Sequence, residues 1–319
     1  MSLYGNQSSH IYGALRNAQL RSVYFPEWSL TFYIPTQENA APQNSIPEYL
    51  LRKLRTLGCN IVEVDPLQSG YSPELLSWLA MDNTQLDYVL VRHVTSRLNA
   101  RDKAAVNEWI RENKAFHCIR DHPAFVKMSI VPGCFGVRPK LVSELIQLKY
   151  DKNDNSVHQQ QTHKEAHHSE PHQPHNHTFK PNHNINFKSI HQLLRSYFNN
   201  QSNSTSSSND IRYTNSSTSA SFHSDHFRHA LTLLDNYLWP LVHNNITCHD
   251  SVSCTSWKNA KRFPVQRRKI HKVQTEREVE FIPAAYNEHH RVSYDIKQDN
   301  EKWWKPFNLN SKEKNMCQV

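Results

Sequence analysis

Charged and polar side chains follow two short apolar runs in the middle of the chain. The run Asp87–Arg92 (DYVLVR) stops at the polar segment His93–Arg97, and the run Ala115–Arg120 (AFHCIR) stops at Asp121–Pro123. Runs of this kind are typical of buried strands. Ligands of open α/β sheets bind beyond the carboxyl ends of the strands. We therefore expect two neighbouring strand ends to bring the following side chains to one crevice: Arg92, His93, Arg97, Arg101, Arg120, Asp121 and His122.

This set of side chains is strongly cationic, and two interpretations account for it. Guanidinium groups form paired hydrogen bonds with phosphate oxygens, so the cluster would suit a di- or triphosphate. Alternatively, the arginines cap helices and pair with Asp102, Glu108 and Asp121 on the surface. If the site is catalytic, Asp121 is the candidate general base, because it stands at a strand end.

The surrounding segments alternate between helical and extended patterns. Asn99 is the predicted N-cap of a helix whose apolar face carries Ala105 and Trp109. Further predicted elements are a helix over 10–24, a strand over 29–34, a helix over 47–57 closed by Gly58, a strand over 60–64, a helix over 72–81, a helix over 140–149, and a helix over 226–239 stopped by Pro240. This alternation predicts an α/β fold with a mainly parallel sheet and right-handed crossovers.

Three separated patches of the sequence resemble one family. They are SLYG with YGALRNA near the N-terminus, RHVTSRLNARDKAAVNEW with IRDHP in the middle, and LDNYLWP with HDS near residues 234–251. The family comprises uncharacterised glycosyltransferase-like proteins related to nucleotide-sugar-dependent transferases. The resemblance covers most of the chain outside residues 151–224.

The resemblance implies a GT-A-like (Rossmann-like), mainly parallel sheet flanked by helices, and a nucleotide-sugar donor as ligand. It does not identify the acceptor. The residues that it assigns to donor binding are Tyr4, Gly5, Arg92, His93, Thr95, Arg97, Arg101, Arg120, His122 and Asp235. A histidine near the C-terminal side often completes the metal shell in such folds, so His93, His249 and Asp250 are the metal candidates. The structural alternative is that His249 and Asp250 pair with each other or cap a turn.

The chain departs from the family pattern where a metal would bind. The family's Asp-x-Asp is His93-Val94-Thr95 here. Mg²⁺ and Mn²⁺ favour carboxylate oxygens, and neither imidazole nor a threonine hydroxyl supplies the missing charge. The Gly-Gly-Met-Trp-Gly element is altered to Pro132–Gly136, and Trp78–Ala80 lacks the expected arginine. These losses predict an inactive glycosyltransferase-like protein, with a non-catalytic binding or scaffold protein that keeps the fold as the alternative.

Composition divides the chain into four parts. Residues 1–150 and 225–275 form one α/β domain, 151–224 is a low-complexity insertion rich in His, Asn and Ser, and 276–319 is a tail. The insertion has too few apolar residues to offset the entropy of ordering, so we expect it to be disordered apart from a helix over Ile185–Phe198. Its irregularly spaced histidines predict weak metal binding at most.

The distribution of charge indicates whether nucleic acid is a partner, and the positions of the cysteines indicate which of them could be bridged. The net charge is +8, but the basic residues are scattered apart from Lys258–Lys272, and no nucleic-acid-binding motif accompanies them, which disfavours nucleic acid as partner. Cys59 and Cys118 lie in strand-like segments and are expected to be buried apolar residues, whereas Cys248 and Cys254 could form a bridge.

The sequence shows no membrane segment, so the default location is the cytoplasm. Met1–Gly5 corresponds to the end of the family's first strand. If the natural protein has residues upstream of Met1, these would allow a signal for the secretory pathway.

Overall fold

The computed structural model describes residues 1–37, 45–121, 125, 128–160, 190, 192, 230–251, 257 and 260–265. Most of the predicted insertion, the predicted tail 276–319 and the site candidate His122 lie outside these residues. Of the predicted helix over 185–198, only Ile190 and Gln192 are described, and both are helical.

Helices and strands alternate through the first 160 residues. The elements in chain order are α1 (Ser8–Tyr24), β1 (Thr31–Pro35), α2 (Glu48–Thr56), β2 (Asn60–Val64), α3 (Pro66–Ser69), a 3₁₀ helix (Pro73–Asp82), β3 (Val89–Arg92), α4 (Ala100–Glu112), β4 (Phe116–Arg120), β5 (Cys134–Val137), α5 (Pro139–Gln160), a π-helical turn (Leu234–Leu238), α6 (Trp239–Val242), β6 (Ile246–Asp250) and β7 (Ala260–Lys261). Asn99 caps α4, since its side chain accepts a hydrogen bond from the Asp102 amide.

The strands form two sheets in the described part of the chain. β1 pairs with β2 in parallel, and five further strands follow the order β3-β5-β4-β6-β7. In the larger sheet, β4, β6 and β7 are parallel, whereas β5 runs antiparallel to both β3 and β4. The carboxyl ends of β3 and β4 therefore lie at the same edge of the sheet, one strand apart.

The structure confirms the α/β class and corrects the details of the sheet. The sheet is mixed, because the short strand β5, which its sequence pattern did not predict, separates β3 from β4. Helix α5 continues to Gln160, past the predicted end at residue 149, because polar residues can extend a helix once it is nucleated.

Pro240 does not end its helix, contrary to the sequence prediction. It lies in the first turn of α6, directly after the π-helical turn. Proline is tolerated there, because the first residues of a helix have N–H groups without a partner inside the helix.

Two large apolar clusters and a small third one around Ile119 and Cys134 pack against the sheets among the described residues. One large cluster takes its helical side chains from α1, α2 and α4, with Trp109 as its largest fully buried residue. The other large cluster takes them from the 3₁₀ helix, α5 and the helix around residues 230–242. No helix in the described ranges is long and apolar enough to cross a bilayer.

A disulfide joins Cys118 on β4 to Cys248, its register partner on β6. The sequence predicted Cys118 to be a buried apolar residue without a bridge, which is wrong, and it left open a bridge between Cys248 and Cys254, whereas Cys248 pairs with Cys118. Sequence spacing could not reveal this pair, because 130 residues separate the two cysteines. Cys59 is buried and free, as predicted, and Cys254 lies outside the described residues.

Candidate functional site

The elbow, His93–Leu98, leaves β3 and is held in place by helix α1. The Asn17 amide donates hydrogen bonds to the carbonyl oxygens of Val94 (2.9 Å) and Ser96 (2.8 Å). Its side-chain oxygen accepts a third bond from the Leu98 amide at 3.2 Å. Asn17 is fully buried, so one side chain satisfies three backbone groups that water cannot reach.

Gly13, one helical turn before Asn17, lets α1 approach the elbow closely. A Cβ atom at this position would lie 2.4 Å from the Val94 carbonyl oxygen and 3.3 Å from Nη1 of Arg97. The same Nη1 atom donates to the carbonyl oxygens of Thr95 and Ser96. Arg97 therefore stabilises the elbow from within.

One side of the elbow is open to solvent. His93 is exposed, and its Nδ1 lies 2.7 Å from the Thr95 hydroxyl and 3.3 Å from the Thr95 amide. Because the amide can only donate, we assign Nδ1 as the acceptor and Nε2 as the protonated nitrogen. The His10 ring lies 6.0 Å from the His93 ring and 4.7 Å from the Tyr4 ring, and its Nδ1 donates to the Tyr4 carbonyl oxygen.

The other predicted arginines form buried ion pairs. Arg92 donates through Nε and Nη2 to the two carboxylate oxygens of Asp102, at 3.1 and 2.8 Å. Its Nη1 donates to the carbonyl oxygens of Val91 and Phe135. Burial alone would lower the pKa of Arg92, but the nearby Asp102 carboxylate outweighs it and raises the pKa. All three nitrogens of this guanidinium are thus engaged within the protein.

Arg101 and Asp121 form the second pair. Arg101 donates through Nε and Nη2 to Asp121 at 3.2 and 2.9 Å, and through Nη2 to the Ser251 hydroxyl at 2.7 Å. The Ser251 hydroxyl also donates to Asp121. Asp121 has no exposed surface. The predicted general base is therefore enclosed between a guanidinium and a hydroxyl group.

Arg120 and Asp250 form the third pair, across the neighbouring ends of β4 and β6. Arg120 Nε donates to Asp250 at 2.9 Å, and Arg120 Nη1 donates to the Ser129 carbonyl oxygen at 2.6 Å. Burial lowers the pKa of Arg120, although Asp250 opposes this shift. The Ser129 hydroxyl donates to Asp235 on the π-helical turn, so the structure brings Asp235 to the same strand end.

Trp257 and residues of the segment 260–265 cover Arg101 and Arg120. The Trp257 ring lies 4.6 Å from the Arg120 guanidinium, and the Phe263 ring lies 3.7 Å from that of Arg101. Arg101 also donates to the Val265 carbonyl oxygen. These aromatic contacts favour a charged guanidinium and exclude water from it.

Two buried histidines and Glu108 form a hydrogen-bonded chain beside the ion pairs. His249 Nε2 lies 3.1 Å from Glu108, and His249 Nδ1 lies 2.9 Å from His117 Nε2. The carboxylate must accept, so we assign His249 Nδ1 as the acceptor and His117 Nε2 as the donor. Burial lowers the pKa of both histidines, that of His117 well below its usual value.

The metal candidates do not converge in the structure. His249 uses both ring nitrogens in contacts with His117 and Glu108, and Asp250 binds Arg120. Among the described residues, no group of three or more His, Cys, Asp or Glu side chains could hold a metal ion. Thus His93, His249 and Asp250 do not form a common ligand set. The reason is topological, since His93 follows β3 whereas the other two lie on β6.

The structure therefore separates the predicted residues into an open edge and a closed cluster. The open edge contains Tyr4, Gly5, His93 and Arg97, with the buried Thr95 bonded to His93, and the closed cluster contains Arg92, Arg101, Arg120, Asp121, Asp235 and Asp250. Arg92 and Arg101 do pair with acidic residues, Asp102 and Asp121, as the alternative to phosphate binding expected. These pairs are buried rather than at the surface. Roles in donor binding and catalysis stay predictions.

Sequence reasoning missed the residues that position the elbow. Gly13 and Asn17 belong to the YGALRNA motif, but only their contacts reveal what they do. The buried His117 was also missed, because a histidine inside an apolar run gives no signal of a partner.

No family model matches this sequence, and comparisons with curated proteins and with solved structures find no significant match.

Proposed function

We propose that this chain is a glycosyltransferase-like protein that keeps a nucleotide-sugar transferase fold. It serves as a non-catalytic binding or scaffold protein and does not transfer sugar. The observation that carries this proposal is the set of three buried Arg–Asp pairs at the strand ends. The mixed α/β architecture is compatible with a GT-A-like sheet.

The hydrogen bonds that the Arg92 guanidinium already makes within the protein support this proposal. A phosphate ligand needs guanidinium N–H groups that the protein leaves unused. At Arg92, Nε and Nη2 bind Asp102, while Nη1 binds the carbonyl oxygens of Val91 and Phe135, so four of the five N–H groups are used on a side chain that is only 2% exposed. A diphosphate would have to displace a buried carboxylate, and separating such a pair costs about 3–5 kcal/mol.

The elbow chemistry supports the same proposal. A divalent cation would need carboxylates at positions 93 and 95, where the chain has histidine and threonine. These two side chains instead bind each other, with His93 Nδ1 as acceptor, and Val94 between them is fully buried. The elbow is thus stabilised by its own contacts, without added negative charge.

A second candidate function, donor binding without catalysis, rests on the open edge. His93 is exposed there, and the His10 ring lies between the rings of His93 and Tyr4, at 6.0 and 4.7 Å. An imidazole and a tyrosine at a strand end can bind a nucleotide base or a sugar hydroxyl.

Thermal-shift measurements with uridine and guanosine diphosphate sugars, each with and without Mn²⁺, test both candidates. The scaffold proposal predicts no shift with any donor. Stabilisation that does not depend on Mn²⁺ would select the donor-binding candidate. Mn²⁺-dependent stabilisation together with release of nucleoside diphosphate would overturn the proposal that transfer is lost.

Two double variants test the effect of placing carboxylates at positions 93 and 95. We expect His93→Asp with Thr95→Asp to gain Mn²⁺-dependent stabilisation, since the variant would supply the two carboxylates that a divalent cation favours. The control is His93→Asn with Thr95→Asn, which has the same shape but no added charge. Equal responses of the two variants to Mn²⁺ would refute a latent metal site at the elbow.

A further inference from the structure

A cavity of about 130 Å³ is lined by residues of β1 and β3, and its walls are chiefly apolar and aromatic. The lining rings of Phe25 and Trp28 lie 6.1 Å apart, and the Tyr88 ring lies 6.4 Å from that of Trp28. Ser29 and Leu86 also line the cavity and are exposed, so it opens to solvent on their side. An apolar cavity of about 150 Å³ can hold benzene, so this space has the size of one aromatic ring.

Arg21 adds a positive group to this apolar space. It lies in the last turn of α1 and lines the cavity. Its Nη2 atom makes two long hydrogen bonds, to the carbonyl oxygens of Leu57 at 3.4 Å and Gly58 at 3.5 Å. Its Nε atom is buried and has no hydrogen-bond partner in the part of the chain that the structure describes. A buried donor without a partner is destabilising, so this position favours an acceptor that a ligand brings.

The other guanidinium group that lines the cavity is already neutralised. Arg92 binds both carboxylate oxygens of Asp102. By contrast, no Asp or Glu among the described residues lines the cavity, and none of those residues forms an ion pair with Arg21. A ligand in the cavity would therefore meet one positive charge that the surrounding protein leaves uncompensated, and a carboxylate is the group that a guanidinium binds best.

We propose that the cavity binds a small aromatic carboxylate with a single ring, whose ring contacts Trp28 and Tyr88 and whose carboxylate accepts hydrogen bonds from Arg21. The ring matches the size and the aromatic walls of the cavity, and the carboxylate supplies the acceptor that Arg21 Nε lacks. Benzoate is the simplest member of this class. The proposal does not depend on the proposed function, because neither this ligand nor Arg21 belongs to the predicted donor site.

NMR titration of the full-length protein with benzoate and three related probes tests the ligand class. The probes are benzyl alcohol, which has no charge, acetate, which has no ring, and benzylammonium, which has the opposite charge. We expect benzoate to bind at least about ten-fold more tightly than each of them, since a charged hydrogen bond is added to the burial of the ring. Benzoate at about ten times its Kd should also raise the melting temperature by about 3–6 °C.

Two outcomes of this titration would overturn the proposal. If benzyl alcohol bound as tightly as benzoate, the cavity would be an apolar site without a carboxylate subsite. If none of the aromatic probes bound, the cavity would not be a ligand site at all.

A charge-removing variant and a contact measurement locate the ligand. We expect Arg21→Gln, which keeps a polar side chain but loses the charge, to weaken benzoate binding about ten-fold and to leave benzyl alcohol unaffected. Arg16→Gln is the matched control, because Arg16 is exposed on the same helix and does not line the cavity. Nuclear Overhauser contacts between benzoate ring protons and the Trp28 indole should appear in the unsubstituted protein. Equal benzoate affinities in Arg21→Gln and Arg16→Gln, or the absence of the Trp28 contacts, would overturn the assigned site.

Discussion

At the scale of single residues, the clearest structural roles belong to polar side chains that are buried. Asn17, Arg92 and Arg120 have almost no exposed surface, and each binds backbone carbonyl oxygens as well as other groups. A buried polar group without a partner is destabilising, so these side chains specify the path of the backbone around them. The strand ends of this protein are consequently organised by polar networks.

Replacing Asn17 with alanine should destabilise the protein by about 2–4 kcal/mol, because three buried backbone groups of the elbow would lose their partner. Urea unfolding would measure the loss. Gln19→Ala on the exposed face of α1 is the matched control, with an expected change below about 0.5 kcal/mol. Similar losses in both variants would contradict the role given to Asn17.

At the scale of elements, α1 and the pair β4–β6 position the two parts of the site. Helix α1 holds the elbow after β3 through Gly13 and Asn17. Strands β4 and β6 place His117, Arg120, His249 and Asp250 beside one another in parallel register. Each part depends on a close approach between elements that are distant in sequence.

Gly13→Ala tests the approach of α1 to the elbow. In an open helix this change would stabilise the fold by up to about 1 kcal/mol through the unfolded state. Here the new methyl group would clash with the Val94 carbonyl oxygen, so we expect a net loss of about 1–3 kcal/mol in denaturant unfolding. Arg16→Ala, on the exposed side of α1, should leave stability nearly unchanged. A more stable Gly13→Ala protein would show that α1 lies farther from the elbow.

The histidines of β4 and β6 should make stability depend on pH. Their pKa values are lowered in the folded protein, chiefly by burial. The unfolded chain therefore binds more protons than the folded protein below a pH of about 6.5. The contribution of the two neutral histidines to the free energy of unfolding is complete above that pH and decreases as the pH falls.

NMR titration of ring-labelled histidines would measure the effect directly. We expect the signals of His117 and His249 to stay in the neutral form below the pH at which a free imidazole is half protonated. The slope of stability against pH should become flatter in His117→Gln and unchanged in the control His93→Asn, whose ring is exposed. Midpoints at or above about 6.5 would contradict the burial argument.

At the scale of the whole molecule, the parts of the chain before and after the insertion form one sheet. Strand β6 lies between β4 and β7, so residues 246–250 complete the sheet that residues 89–137 begin. The Cys118–Cys248 disulfide crosses this junction and closes a loop of 130 residues. Strand pairing and a covalent link therefore act at the same place.

Removing this disulfide should destabilise the protein by about 2–5 kcal/mol, since a long loop would regain entropy in the unfolded state. The double variant Cys118→Ala with Cys248→Ala can be compared with Cys59→Ala, which removes a buried thiol without a bridge. Thiol labelling of the unreduced, denatured protein should leave Cys118 and Cys248 unmodified. Labelling of both residues would contradict the disulfide.

The sequence by itself determined the local elements and the α/β class. Apolar periodicity located α1, α2 and α4, short apolar runs located β3 and β4, and Asn99 marked the start of α4 because capping depends on residues only three apart. Tertiary structure decided which charged groups are neutralised, which cysteines meet and which strand lies between β3 and β4. Those outcomes depend on contacts between residues separated by 10 to 130 positions, and local sequence patterns do not encode such contacts. Consequently, three of the four arginines predicted at a crevice, Arg92, Arg101 and Arg120, lie in buried ion pairs, and Arg97 with His93 and Tyr4 remains at the open edge.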